Sequence, residues 1–253
     1  ALYLGELPSA RVLPSALDVP NSHDRHDLAR MHQLGLRAFY SQQTEEKLVW
    51  FNFHLPLMKS DEEVRYRQAV VDTCLQRRML RVQPDFTYTV NWYGGTKYFR
   101  AFVLHADMGL TPPDLVNRLS VCDASDPLHI RMGNPDLKNS WRYKFLTGFL
   151  HRSPEKKWFT EVSMNAWIGV NDVAQGFTYN PFTGVYTYRP QNVNGNRGIH
   201  VRVKFQKEGM AQYWSMEGDL NYDFHRSVDL SSVEGMTESV LSKVHNHETK
   251  AYL

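Results

Sequence analysis

The richest concentration of reactive side chains falls in residues 186–206. Ile199, Val201, Val203 and Phe205 alternate there with His200, Arg202, Lys204 and Gln206, so an extended strand would turn one apolar face and one basic face. Tyr186 and Tyr188 share a face of the strand before it, and Arg189 closes that strand. Tyr186, Tyr188, Arg189, His200, Arg202 and Lys204 are therefore the candidate ligand-binding residues. Their cations could neutralise an anion while the rings stack on a sugar or a base. An anionic glycan, a lipid headgroup and single-stranded RNA fit that chemistry, as does an acidic protein partner. In a glycan-active enzyme Tyr188 would be the proton donor, Arg202 a charge clamp and His200 the base. The competing explanation is plain: alternation alone puts polar residues on the solvated side of a half-buried sheet.

Other clusters carry less. His23-Asp24-Arg25-His26-Asp27 gathers two imidazoles and two carboxylates, but a metal site needs a further ligand placed by the fold, and a polar helix start accounts for the same residues. His245-Asn246-His247-Glu248 is similar. No nucleophile elbow, Walker lysine loop, dinucleotide fingerprint or His-Glu-x-x-His sequence occurs. Gly94 and Gly95 stand near Lys97, yet no helix follows to cradle a phosphate, so the pair reads as a hairpin turn. On this basis no catalytic residue, metal or cofactor is assigned.

The elements that would position these residues read as an α+β protein. Residues 1–20 hold Pro8, Pro14 and Pro20 and suit an extended arm. Leu28, Met31, Ala38 and Phe39 recur at helical spacing across residues 24–40. Residues 48–55 alternate as a strand. Ser60 with Glu63 then forms a capping box for a helix running to Leu80, with Asp61, Glu62 and Glu63 in its first turn and Arg77, Arg78 and Arg81 at its end. Residues 86–92 and 97–105 form a hairpin, Thr111-Pro112-Pro113-Asp114 opens a short helix, and residues 128–132 return as a strand. That order, β-α-β-β-α-β across residues 48–132, predicts a ferredoxin-like unit. An RNA-recognition motif shares the order, but residues 97–104 lack its glycine and aromatic register. Residues 133–230 read as an antiparallel β-sheet or barrel-like region, and Ser231 with Glu234 caps a C-terminal helix within a 231–253 tail. The predicted organisation is thus 1–47, 48–132, 133–230 and 231–253.

The whole chain bounds the rest. Its 253 residues carry a net charge of +2 and are 42% hydrophobic and 22% charged, ordinary values for a folded, soluble protein and too weakly basic for a dedicated duplex-DNA binder. No run approaches eighteen consecutive apolar residues, so no membrane span is expected. Two cysteines without a C-x-x-C pair argue for an intracellular, reducing compartment. The start at Ala1, with no apolar signal core, reads as a processed or trimmed chain and leaves a mitochondrial or other organellar setting open. With no catalytic signature, the expected function is that of a non-catalytic structural or adaptor subunit, partnered by other protein subunits. An anion-binding module and a glycan-active enzyme stand as alternatives.

Overall fold

The structure, a computed structural model, describes residues 23–68, 71–123, 126–209, 214–233 and 240–252. It is built almost wholly of strands: β1 (His23–Gln43), β2 (Lys47–Gln68), β3 (Val71–Val82), β4 (Asp85–Tyr93), β5 (Phe99–Thr111), β6 (Cys122–Asp123), β7 (His129–Met132), β8 (Ser140–Ser153), β9 (Trp158–Val170), β10 (Asp172–Tyr179), β11 (Tyr186–Val193), β12 (Arg197–Glu208), β13 (Ser215–Val233) and β14 (Val240–Tyr252). All belong to one 14-stranded sheet. Nine of them, in the order β1-β2-β4-β5-β8-β9-β12-β13-β14, form a continuous wall in which every pairing is antiparallel. The remainder branch from one end of it. β3 pairs with the outer half of β2, and β10, β11, β7 and β6 run off the far end of β13 through two parallel contacts of three residues each.

The connections are lopsided. At one end of the wall, here the short end, neighbouring strands are joined by residues 44–46, 94–98, 154–157 and 209–214. Gly95 makes the second of these turns possible with φ +60, a left-handed conformation a glycine adopts without strain. At the opposite, long end the chain makes its excursions: β3 with the outer part of β2, residues 112–139, and residues 171–196.

Among the described residues no layer packs on this wall. Among the described residues no large side chain is completely buried, and the buried apolar residues fall into two small clusters. Val64, Tyr66, Leu115 and Leu119 join the 112–139 excursion to β2, and Ala174, Val193 and Val228 join β10 and β11 to β13. Both lie at the long end.

The α+β expectation is overturned: no α-helix, no ferredoxin-like unit and no C-terminal helix occurs among the described residues. Residues 24–40 are strand β1, bonded to β2 along its whole length, and the supposed helical stripe splits, with Leu28 and Ala38 on one face and Met31 and Phe39 on the other. The predicted 60–80 helix is the end of β2 and most of β3. Its acidic start and basic end are not matched to a helix dipole but to each other across a hairpin, where Asp61 lies opposite Arg78 and Glu62 opposite Arg77. The short helix after Asp114 shrinks to a 3-10 turn, Val116–Arg118. Ser231–Val233, the expected start of the C-terminal helix, are the end of strand β13, residues 234–239 with Glu234 and Met236 lie outside the described residues, and the continuation is strand β14. The arm at residues 1–20 also lies outside them. The 86–105 hairpin and the antiparallel character of the later strands stand. Among the described residues no helix is long and apolar enough to cross a membrane, a test that concerns helices alone.

Candidate functional site

Successive residues of a strand point to opposite faces, and residues paired across antiparallel strands point to the same one. The registers therefore sort the wall into two surfaces. On one, a single row runs Phe51, Tyr88, Leu104, Thr147, Met164, Val201 and Tyr222 through seven neighbouring strands. The next row toward the long end runs Phe53, Phe86, Ala106, Phe145, Ala166, Ile199 and Phe224. β1 extends the surface with Leu34, Leu36, Ala38 and Tyr40.

The depth of this surface repeats on four of the nine strands, β2, β5, β8 and β9. Its apolar residues run from Val49 to Leu57, from Phe102 to Leu110, from Trp141 to Phe149 and from Val162 to Val170, nine residues each time, interrupted only by Thr147. No charged residue faces outward within those spans. Charge returns at both rims. Lys47 and Arg100 flank Trp92 and Lys207 lies opposite Trp158 at the short end, while Lys59 pairs with His32 and Arg197 with Arg226 at the long end.

Among the described residues nothing covers the band. Leu36 is 61% exposed, Ile168 55%, Phe149 41% and Phe145 38%. Burying such a side chain is worth about 1.5–3 kcal/mol, and a folded domain has only about 5–15 kcal/mol of net stability. Leaving the whole band in water would forgo more than that margin, so the band is a surface made to be covered.

The opposite face is mixed, and its charged residues are matched with one another. His54 meets Asp85 at 2.9 Å, Lys144 meets Asp107 at 3.5 Å, and His105 lies within 2.9 Å of Thr87. Arg142 lies over the Trp167 ring at 4.7 Å. On β12, Arg202 is bound by Asp219 at 2.5 Å, His200 by Asp223 at 2.7 Å and Lys204 by Glu217 at 2.8 Å. The basic row thus lies beside an acidic row of β13. An incoming anion would compete with three carboxylates.

The six candidate ligand residues fall into two groups. His200, Arg202 and Lys204 lie on the polar face of the wall. Tyr186, Tyr188 and Arg189 lie on β11, which pairs with β10 and β7 and is not a neighbour of β12. There the His129 ring stacks on Tyr186 at 5.7 Å and on Tyr188 at 6.1 Å, and Tyr179 lies 4.7 Å from Tyr186. Arg189 reaches Asn134 at 3.4 Å. Asp126 holds the His129 Nδ1 at 2.9 Å. The Leu128 amide, bonded at 3.0 Å, and then the His129 ring keep the Asp126 carboxyl below the usual carboxylate range. Arg25 of the His23–Asp27 cluster binds Asp27 and reaches Asp114 at 3.5 Å. Among the described residues no three His, Cys, Asp or Glu side chains gather as metal ligands.

The apolar band escaped motif reading because it contains no reactive group. Its signal was present as the period-two pattern of residues 102–110, 141–149 and 162–170, equal in length and placed in register by pairing. No protein-family model matches the chain, and no curated protein matches it.

Proposed function

We propose that this chain forms part of the wall of a transmembrane β-barrel, a structural and non-catalytic role in which the apolar band faces lipid and the charged face lines the interior. The observation that carries this reading is the constant depth of the uncovered band. Nine residues on each of four strands match the roughly 9–11 residues with which a tilted strand crosses a bilayer. A protein partner would bury a patch, whereas a bilayer demands one thickness from every strand, free of charge and flanked by aromatic and basic rims. Two further features fit. Strands inside a sheet satisfy their backbone groups by pairing on both sides, as hydrocarbon requires, and short turns at one end with long excursions at the other are the asymmetry of such barrels. The structural-subunit expectation is kept, with lipid as the covering partner.

The test uses the chain reconstituted in lipid vesicles with Cys74→Ser and Cys122→Ser and a single fluorophore-labelled cysteine. Labelled Phe145→Cys should be quenched by a nitroxide on the lipid acyl chain and spared by aqueous cobalt. Its sequence neighbour, labelled Lys144→Cys, should show the reverse. Aqueous quenching of both would sink the reading.

A further inference from the structure

Among the described residues the nine-stranded wall has two open edges, β1 and β14, and their directions decide what can close them. Because every pairing between them is antiparallel and the strands number nine, β1 and β14 both run from the long end to the short end. Brought together they would pair in parallel. Among the described residues parallel pairings extend over three residues each, at Phe177–Tyr179 with Ser231–Val233 and at Tyr186–Tyr188 with His129–Arg131. A second copy inserted in the same sense offers edges that also run from long end to short end, and an antiparallel match would need a copy inserted upside down. Yet in hydrocarbon the unpaired N–H and C=O groups of an edge cannot be left open.

β1 also shows the want of a lateral neighbour in its side chains. Leu34 is 68% exposed on the band and Phe39 62% on the opposite face, more than the aliphatic and aromatic residues of the strands inside the wall.

Resting on the membrane reading, we infer that the wall is completed by polypeptide outside these nine strands, which contributes an odd number of amphipathic strands. The strand that meets β1 runs antiparallel to it. It carries apolar residues opposite Leu34, Leu36, Ala38 and Tyr40, because that side of β1 faces lipid.

Photo-cross-linking in the native membrane tests this on the protein as it occurs there. Leu36→p-benzoylphenylalanine and Tyr40→p-benzoylphenylalanine variants are irradiated, and the captured residues are sequenced by mass spectrometry. Both probes should capture one segment outside residues 23–252, and the captured residue number should fall as the probe moves from 36 to 40. Capture within β14 of the same chain, capture within a second copy, or no protein adduct at either position would each overturn the inference. A third probe, Phe145→p-benzoylphenylalanine, reports on the membrane reading separately. It should yield acyl-chain adducts whatever the edge probes do, and its failure to label lipid would remove the membrane reading itself.

Discussion

Val103 and Leu104 are chain neighbours that the wall directs to opposite environments, and the proposed function assigns them opposite sensitivities. Leu104 sits in a central row of the band, between Tyr88 and Thr147. Leu104→Lys should cost about 2–4 kcal/mol, the range for a basic residue on the lipid face near the midplane. Val103→Lys, on the interior face, should cost a fraction of that. Urea titrations of both variants in lipid vesicles give the comparison, and equal losses would count against a lipid-facing band. A second residue-scale prediction concerns Asp126, whose carboxyl is held low by the Leu128 amide and the His129 ring. Its contribution to the 126–129 turn is complete above the ordinary carboxylate value of about 3.9 and is lost only as pH falls through its lower folded value. The ring-current shift between His129 and Tyr186 should therefore persist at pH 5 and fade in stronger acid. Asp126→Asn should remove that acid step. At this scale the sequence was informative about pattern and silent about pairing. The alternation of His200, Arg202 and Lys204 was legible, but the carboxylates of Asp223, Asp219 and Glu217 lie on the next strand, and only the register brings them within reach.

Among elements, residues 60–82 show best how local rules mislead. A serine three residues before a glutamate, an acidic start and a basic end satisfy every helix signal. An antiparallel hairpin with Asp61 and Glu62 facing Arg78 and Arg77 satisfies the same charges, and long-range pairing along β2 decides between them. The two arrangements differ in a measurable way. A capping Ser60 would cost about 1 kcal/mol on replacement by alanine, but the Ser60 Oγ is buried with no hydrogen-bond partner among the described residues. Ser60→Ala should therefore leave the unfolding midpoint unchanged or raise it, and a clear loss of stability would show that the hydroxyl has a role that the strand geometry does not give it. By contrast, Arg77 binds both Glu62 and the Pro113 carbonyl at 2.6 Å. The hairpins around Gly95 and in residues 140–170 were legible because turn chemistry and alternation agreed there. β1 was not, since Leu28, Met31, Ala38 and Phe39 fit a helical spacing as well as a strand with apolar residues on both faces.

The molecule as a whole shows why a search for apolar runs misses such a wall. An eighteen-residue window averages Leu104 with His105 and Phe145 with Lys144, and the alternation that lets a strand cross with nine residues cancels in the mean. What distinguishes the band is its constancy over β2, β5, β8 and β9, which exists only after pairing. The proposed orientation also sorts the connections to two sides. Protease added to sealed vesicles of uniform orientation should cut the 112–139 and 171–196 excursions from one side and the 154–157 turn only from the other, and cleavage of both sets from one side would contradict a spanning wall. The lopsided connections have a further consequence, for how this sequence can change over time. Doubling a flexible connection adds only about 0.6 kcal/mol of closure entropy, while any insertion into β5 or β8 by a single residue would swap lipid-facing and interior-facing side chains along the rest of the strand. Insertions and exchanges of sequence are therefore tolerated at the long end and rejected in the strands, so new recognition surfaces can accumulate there on a wall that stays the same.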